Sequence, residues 1–274
     1  LCDQIEIASM SKVHLVIPAR LGSTRLPRKP LIEIAGKPMI VWVAERASLV
    51  EADDLTIAVD DQEVLDVVRD HGFECLLTSK DHRSGSDRVL EVASKMGWKD
   101  DDVLVNVQGD EPLLPAHIVN QLIDFMIPEQ GPVIEFATVS EPIRYQNEFE
   151  NPNCVKVVTD REGVALYFSR APIPFPRDED VFEAASRSEE RHLLKIDYPV
   201  KRHVGIYGFR IHALREFSAL PESGLELLEK LEQLRWLEAG RKIHVIHSEE
   251  PLPGGVDTPE DLAAVELLLL ENLK

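Results

Sequence analysis

Four cations in one short loop are the first residues whose types and spacing could do chemistry. An apolar stretch, VHLVIP, leads directly into this loop, which contains Arg20, Arg25, Arg28 and Lys29. A Gly-Ser-Thr turn among them offers free backbone amides and hydroxyl groups. Guanidinium groups, an ammonium and backbone N–H donors together bind polyphosphates. We therefore interpret the loop as a polyphosphate site, although it matches neither the Walker pattern nor G-x-G-x-x-G.

Two aspartates could supply a cation site to accompany that loop. Asp110 ends the strand-like stretch VNVQGDEP, and Asp257 follows two glycines in GGVDTPEDL. Carboxylate oxygens are the ligands that Mg²⁺ prefers. An ordinary acidic turn explains Asp110 equally well, and a helix that begins at Pro259 favours a nearby carboxylate for dipole reasons alone. The pair therefore predicts a Mg²⁺ site only if the fold brings the two aspartates together.

A third group of polar residues could recognise a polar acid. Its members lie in the stretches VALYFSR, RHVGIYGFR and LELLEKLEQLR, and they are Arg170, His203, Tyr207, Glu232 and Gln233. An even spacing puts His203 and Tyr207 on one face of a strand. Glu232 falls at the margin of the leucine stripe of a predicted helix, where a carboxylate either reaches solvent or faces a ligand. Taken singly, a histidine or tyrosine here is equally typical of a satisfied, half-buried side chain.

The whole chain is acidic, which limits the classes of partner it can have. Its 274 residues contain 30 Lys and Arg against 49 Asp and Glu, a formal net charge of −19. A general nucleic-acid binder would carry the opposite field. No apolar run reaches the roughly 18 residues of a membrane span, so we expect no membrane contact. Three scattered cysteines without metal-ligand spacing favour a cytoplasmic location.

Apolar strand patterns alternate with helical patterns in the first half of the chain. VHLVIP, DLTIAV, FECLLT and DVLVNV are each followed by a helix-like segment. This alternation predicts an α/β fold, with a Rossmann-like, mostly parallel sheet and helices on both faces. Ligands collect at the carboxyl ends of strands in such sheets, which is where VIPAR and VNVQGDEP end. The first residues lack the features of a signal peptide, so we treat 1–12 as a disordered or non-native segment.

The alternation of strand and helix patterns changes after residue 130. VIEFATVSEPI, CVKVVTDREGVALYFS and KRHVGIYGFR predict longer strands in a smaller mixed or antiparallel sheet. Residues 177–200 are charged and weakly periodic, which predicts a mobile excursion. A capping box at Ser223 and Glu226 introduces LELLEKLEQLRWLEAG, which predicts one strong helix. With no credible linker, residues 13–274 are expected to form a single domain.

These motifs, in this order, closely resemble those of the 3-deoxy-manno-octulosonate (Kdo) cytidylyltransferases. The resemblance covers roughly residues 13 to 265, and it rests on IPARLGSTRLPRKPL, SGSDR, VNVQGDEP, YFSRAPIP, RHVGIYGFR, LEKLEQLR and GVDTPEDL. It implies a nucleotidyltransferase that joins CMP from CTP to the anomeric hydroxyl of Kdo, with Mg²⁺, for lipopolysaccharide biosynthesis. It also implies a homodimer and a sugar-binding and dimerisation subregion at about 133–240.

The resemblance assigns roles to individual residues. The CTP-binding residues would be Arg20, Arg25, Lys29, Ser84 and Gly85. The sugar-binding residues would be Gln108, Arg170, His203, Tyr207, Glu232 and Gln233, with Arg170 a natural partner for the sugar carboxylate. Asp110 and Asp257 would hold Mg²⁺, and the catalytic residues would be Lys29, Arg20, Asp110 and Asp257.

Three departures from the family pattern leave alternatives open. Arg28 stands where the family usually has glycine, SGSDR replaces the commoner SGT form, and residues 177–200 are longer than expected. A related sugar acid, of the 8-amino-Kdo or sialate type, is therefore an alternative acceptor. A catalytically silent nucleotide-binding protein is the alternative from another class, although such a protein would not need both aspartates.

Overall fold

The computed structural model describes residues 11–22, 26–82, 84–177, 182–184, 192–194 and 200–272. The strands are β1 (Val13–Ala19), β2 (Glu33–Ile34), β3 (Lys37–Pro38), β4 (Asp54–Val59), β5 (Cys75–Leu77), β6 (Val103–Asn106), β7 (Phe136–Pro142), β8 (Lys156–Thr159), β9 (Ala165–Ser169), β10 (Phe182–Ala184), β11 (His192–Leu194), β12 (Lys201–Arg210) and β13 (His244–His247). The helices are α1 (Met39–Ala47), α2 (Gln62–Asp70), α3 (Gly85–Met96), α4 (Ala116–Met126), α5 (Gln146–Glu150), α6 (Ile211–Ala219), α7 (Gly224–Glu229), α8 (Leu234–Glu238) and α9 (Pro259–Asn272).

A central sheet carries the predicted parallel strands. Its order is β13-β7-β12-β6-β1-β4-β5, and β5, β4, β1 and β6 run parallel to one another. β1 lies between β4 and β6 and is buried along almost its whole length. Leu15 and Ile17 pack into a core that includes residues of α1, α2 and α4, whereas Val16 packs with α3 and α6 on the other face. The near-continuous apolar run of β1 therefore reflects burial on both faces, and the predicted fold class is confirmed.

The second half of the chain adds the antiparallel strands. β12 pairs antiparallel with β6 on one edge and with β7 on the other. Beyond the end of β6, β8 pairs with β12 and β9 pairs with β8, both antiparallel. The register places Tyr207 of β12 opposite Asn106 of β6. β12 therefore places the predicted sugar-binding stretch RHVGIYGFR beside the end of β6, from which the loop to Asp110 begins.

The predicted long helix over LELLEKLEQLRWLEAG is wrong. The capping box of Ser223 and Glu226 starts α7 as expected, but α7 ends after six residues and α8 is a separate helix. Lys230 lies between them at φ +55°, in the left-handed region that ends a helix. Leu228, which the pattern placed in the buried stripe, is 83% exposed. The break is held by hydrogen bonds from Arg170, 59 residues earlier in the chain, which a local pattern cannot reveal.

The predicted N-terminal segment is described only at its end. Residues 1–10 lie outside the described residues. Ser11 accepts a hydrogen bond from Arg210, and the backbone N–H of Lys12 donates to Asp102. The described fold therefore begins two residues before Val13.

The predicted excursion at 177–200 lies mostly outside the described residues. Within it, β10 and β11 pair antiparallel. Across the described part of the chain, no helix combines the length and the apolar character that crossing a membrane requires. The single-domain boundary and the sugar-binding subregion stay predictions.

Candidate active site

An ammonium between two aspartates is the centre of the site. Lys29 Nζ donates to Asp110 Oδ2 at 2.5 Å and to Asp257 Oδ1 at 2.9 Å. The side chain of Lys29 is 14% exposed, whereas those of Asp110 and Asp257 are 33% and 49% exposed. Burial disfavours the charged lysine, but the two carboxylates outweigh burial and raise its pKa. The fold thus brings together three residues that the sequence left unconnected.

The carboxyl ends of two parallel strands position the first half of this cluster. Arg20 directly follows β1, and the loop that leads to Asp110 follows β6, so both lie at the expected edge of the sheet. The two segments approach closely at Gly109. A Cβ atom there would lie 2.9 Å from the Pro18 carbonyl oxygen and 3.2 Å from the Ala19 Cβ. Glycine at this position therefore sets the distance between the phosphate loop and Asp110.

The loop before α9 brings in Asp257. The backbone N–H of Val256 donates to the carbonyl oxygen of Asp110 at 2.8 Å. A Cβ atom at Gly255 would lie 3.3 Å from that same oxygen. The backbone N–H of Asp257 donates to Asp261 Oδ2 in the first turn of α9. Glycine at position 255 therefore permits a close approach to the Asp110 backbone, and this approach places Asp257 beside Asp110.

A cavity of about 660 Å³ opens over the cluster. A volume of this size is typical of small-molecule sites. The predicted site residues on its wall are Arg20, Lys29, Ser84, Gly85, Gln108, Asp110, Glu232 and Asp257. Most of the predicted nucleotide, metal and sugar residues therefore share one cavity.

The start of α3 and a glutamate form one wall of the cavity. The Ser84 side chain accepts a hydrogen bond from the backbone N–H of Asp87, so it caps α3. Ser86 Oγ donates to Glu232 Oε1 at 2.7 Å. Glu232 Oε2 is buried and has no hydrogen-bond partner among the described residues. Burial raises the pKa of Glu232, although its contacts with Ser86 and Ser84 oppose this. The Glu232 carboxylate therefore has one oxygen that can accept a further hydrogen bond.

Among the remaining predicted sugar residues, Gln108 lines the cavity, whereas His203, Tyr207 and Gln233 do not. Gln108 Nε2 donates to a backbone carbonyl of β12 at 3.1 Å. Tyr207 Oη lies 3.4 Å from Gln233 Oε1, and both side chains are buried. His203 Nε2 is 3.0 Å from Thr138 Oγ1. Burial, with a neighbouring arginine, lowers the pKa of His203 to about 3, so its imidazole is neutral at physiological pH.

Arg170 is not on the cavity wall. Its Nε donates to the carbonyl oxygen of Glu229 at 2.7 Å, and its Nη1 donates to that of Pro152 at 2.9 Å. A longer contact of 3.4 Å joins Nη2 to the carbonyl oxygen of Lys230. The guanidinium therefore holds the end of α7, and the structure does not bring it to the other predicted sugar residues.

The phosphate loop is described only in part. Arg25, which the resemblance assigns to the triphosphate, lies outside the described residues. Arg28 has φ +58°, which gives a physical reason for the glycine that the family usually has at this position. Its guanidinium donates to Glu63 Oε1 at 2.5 Å, and this hydrogen bond raises the pKa of Arg28. Arg28 therefore ties the loop to α2 and does not add a cation to the cavity wall.

Two cations on the cavity wall were not predicted. Arg88 donates to Thr78 Oγ1 and, at 3.4 Å, to Asp60 Oδ2. Asp60 in turn accepts the backbone N–H of Leu21 at 2.9 Å, so Arg88 links α3 to the phosphate loop. Burial lowers the pKa of Arg88. The SGSDR motif contained a signal for this arginine, whereas Lys230 lay inside the predicted helix and gave none.

Comparisons with known sequences identify related proteins. Residues 14–243 match a family model described as cytidylyltransferase. The chain is 48% identical over 258 residues to a 3-deoxy-manno-octulosonate cytidylyltransferase of Saccharophagus degradans, covering 93% of this chain and 97% of the relative. It is 47% identical over 256 residues to a protein of the same name from Cellvibrio japonicus, again covering 93% and 97%.

Solved structures agree with the sequence matches. A CMP:2-keto-3-deoxy-manno-octonic acid synthetase in complex with CTP superposes with a TM-score of 0.84 at 39% identity. That match covers 96% of this chain and 100% of the other. A cytidylyltransferase from Leptospira borgpetersenii superposes with a TM-score of 0.58 at 15% identity, covering 95% and 87%, which supports the fold alone. The family resemblance drawn from the motifs is confirmed.

Proposed function

We propose that this chain, which belongs to the family of 3-deoxy-manno-octulosonate cytidylyltransferases, transfers CMP from CTP to the anomeric hydroxyl of Kdo and releases pyrophosphate. The chain is accordingly a nucleotidyltransferase. The observation that carries the proposal is the Lys29 ammonium between Asp110 and Asp257 on the wall of one cavity.

The triphosphate is assigned to the phosphate loop. Arg20 and Lys29 are cations on the cavity wall at the end of β1, and the resemblance adds Arg25. Cations at this place stabilise the charge that grows on the departing pyrophosphate. The Ser84–Gly85 turn is assigned to the nucleotide, because the start of a helix favours an anionic ligand.

The donor set of Asp110 and Asp257 fits Mg²⁺. One oxygen of each carboxylate already converges on a shared cation, the Lys29 ammonium. Among the described residues, no group of three or more His, Cys, Asp or Glu could hold an ion. Phosphate oxygens and water would therefore supply the other ligands, as is usual for Mg²⁺. When bound, the ion would neutralise phosphate charge and lower the pKa of the attacking hydroxyl.

The sugar acid is assigned to the wall formed by Glu232 and Gln108. The unpaired Glu232 Oε2 is suited to accept a hydrogen bond from a sugar hydroxyl, because leaving it unpaired costs free energy. Gln233, Tyr207 and His203 are proposed to complete this part of the site. The resemblance also assigns Arg170 to the sugar.

The transfer itself needs little covalent help from the protein. The anomeric oxygen attacks the α-phosphorus, the new O–P bond forms, and the bond to the β-phosphate oxygen breaks with the electron pair leaving on pyrophosphate. The hydroxyl proton passes to water. Positioning and neutralisation of charge supply most of the acceleration, so no histidine base is required.

Pyrophosphate release with a panel of acceptors tests the assignment. The purified chain would be assayed with CTP and Mg²⁺ plus Kdo, the 8-amino analogue of Kdo or a sialate, and then with other nucleotides. We expect pyrophosphate and CMP-Kdo from CTP and Kdo, with weaker turnover of the other acids and bases. Preferred turnover of another acid would replace Kdo as the substrate. Absence of turnover with every acid would favour a silent nucleotide-binding protein.

A cytoplasmic homodimer is part of the same proposal. Cys75 and Cys154 are free thiols, which suits a reducing compartment. On α9, Leu267 is 65% exposed and Leu268 is 47% exposed, and apolar exposure of this kind supports contact with a second copy. Light scattering on the purified chain tests the dimer, which a mass of one chain at working concentration would reject.

A further inference from the structure

An irregular segment, residues 248–257, carries Asp257 to the active-site cavity. It follows β13, which pairs parallel with β7, and it contains no helix or strand of its own. Ser248, Leu252 and Val256 are buried, whereas the residues between them are exposed. A segment without regular structure has few backbone hydrogen bonds of its own, so the place of Asp257 depends on contacts at these buried positions.

The first and last of the buried positions bind main-chain groups. The N–H of Ser248 donates to the carbonyl oxygen of Ser140 on β7 at 2.7 Å, which extends the pairing of β13 with β7. The N–H of Val256 donates to the carbonyl oxygen of Asp110 at 2.8 Å. Because both acceptors belong to the backbone, a change of side chain does not remove them.

The middle position binds a side chain. The N–H of Leu252 donates to Oε2 of Glu141, a residue of β7 whose side chain is 6% exposed. Leu252 lies between Pro251 and Pro253, which have no N–H to donate, so neither neighbour can replace this hydrogen bond. Of the three contacts, the one with Glu141 is therefore the one whose chemistry a single substitution can change.

An arginine on the next strand favours the charged form of Glu141. Arg202 of β12 lies directly opposite Glu141 in the register of the two strands, and its Nε forms an ion pair with Glu141 Oε1. Burial raises the pKa of Glu141, whereas Arg202 and the N–H of Leu252 oppose this rise. One oxygen thus faces a guanidinium and the other accepts a backbone N–H, and such charge-assisted contacts are stronger than neutral ones.

We propose that Glu141 is a positioning residue for the divalent-ion site: its carboxylate fixes the 248–257 segment at Leu252 and thereby holds Asp257 opposite Asp110. The inference rests on the proposed function and deepens it, because it assigns the support of a carboxylate already proposed to hold Mg²⁺. Glu141 is not among the described residues that line the cavity. Its effect is therefore expected on the affinity for the ion and not on the transfer step once the ion is bound.

Hydrogen exchange of the segment tests the positioning without any substrate. Glu141→Gln keeps the size of the side chain, but its amide has one acceptor oxygen and cannot serve both Leu252 and Arg202. We expect the backbone amides of residues 252–257 to exchange about threefold to tenfold faster than in the parent, with unchanged rates in β1 and β6. Unchanged exchange at 252–257 in a folded Glu141→Gln variant overturns the inference.

The Mg²⁺ dependence of pyrophosphate release separates positioning from a general loss of stability. Glu141→Gln should raise the Mg²⁺ concentration for half-maximal rate about threefold, while kcat at saturating Mg²⁺ stays near the parent value. Asp102→Asn is the matched control, because Asp102 is also a buried carboxylate that accepts backbone N–H groups but precedes the start of β6, at the opposite end from Asp110. This control should keep the parent's Mg²⁺ dependence. An equal rise in both variants overturns the inference.

Arg202→Gln separates positioning from the loss of a nearby negative charge. Removing a positive charge cannot by itself weaken the binding of a cation, so a field effect alone predicts an equal or lower Mg²⁺ requirement. Without its partner, the buried Glu141 takes up a proton and becomes a weaker acceptor for Leu252, so positioning predicts faster exchange and a higher Mg²⁺ requirement. An equal or lower requirement in a folded Arg202→Gln variant overturns the inference. If the parent chain shows no turnover, the proposed function fails, and the exchange rates alone then decide whether Glu141 holds the segment.

Discussion

Glu232, which we propose binds the sugar acid, is a residue whose burial opposes the stability of the fold. Its carboxylate is buried, burial raises its pKa, and one of its two oxygens has no hydrogen-bond partner among the described residues. A buried charge that is incompletely paired costs free energy of folding. Such a group is retained where it serves a ligand, because active sites trade stability for function.

Glu232→Gln separates these two effects. The substitution keeps the shape and the Ser86 contact but removes the charge. We expect KM for the sugar acid to rise about tenfold, because a hydrogen bond to a charged group is worth roughly 1.5–3 kcal/mol. The free energy of unfolding should be unchanged or higher, as measured by urea denaturation. A variant that loses stability but keeps the parent KM would show that Glu232 is structural.

His203 makes a prediction about pH and stability. Its pKa is about 3 in the folded chain against about 6.5 in the unfolded chain, so only the unfolded state takes up a proton between these values. Its contribution is therefore complete above pH 6.5 and is lost as the pH falls toward 3. We expect acidification from pH 6.5 to 5 to destabilise the parent more than His203→Gln, by on the order of 1 kcal/mol. Urea denaturation at several pH values measures the difference, and parallel pH profiles would contradict it.

At the scale of elements, the site depends on how closely two strand ends approach. Gly109 follows β6, and a Cβ atom at this position would lie 2.9 Å from a backbone oxygen of the neighbouring strand end. A backbone oxygen cannot move aside as a side chain can. The loop that carries Asp110 would therefore have to shift relative to the loop that carries Lys29.

Gly109→Ala tests this close approach. We expect a loss of about 1–3 kcal/mol in the free energy of unfolding, as for overpacked positions. We also expect a fall in kcat, because Asp110 moves relative to Lys29. Gly254→Ala is the matched control, since a Cβ atom there would meet no atom within 4 Å. Equal activity of the two variants in the pyrophosphate assay would show that the close approach at Gly109 does not affect transfer.

The elements also show which local features a sequence can reveal. The start of α7 after Ser223 and the start of α9 at Pro259 were predicted because capping and first-turn residues act within four positions. The break at Lys230 was not predicted, since its cause is a contact with Arg170 from a distant strand. Propensity favoured one helix, and tertiary hydrogen bonds outweighed it.

At the scale of the whole molecule, chemistry depends on residues that are far apart in the chain. Lys29 is separated from Asp110 by 81 residues and from Asp257 by 228. Motif types and strand ends predicted what each residue could do, but only the folded chain brings the three together. In the same way, the sequence position of Arg170 could not show that its guanidinium donates to the carbonyl oxygens of Glu229 and Pro152.

The net charge of −19 explains why a local cation such as Lys29 matters for binding an anion. The field of the whole molecule disfavours an anion, so the proposed binding of a triphosphate depends on local cations. Lys29 is the cation at the point where the phosphate loop meets both aspartates. The central claim is therefore that Lys29 acts in transfer and not in folding.

The turnover of Lys29→Ala with CTP, Mg²⁺ and Kdo tests this claim most directly. We predict a fall in kcat of about 100-fold or more, with a urea denaturation midpoint close to that of the parent. Lys95→Ala, which removes a lysine paired with Glu91 on α3, is the control and should keep parent activity. Parent-like pyrophosphate release from a folded Lys29→Ala variant would contradict the account.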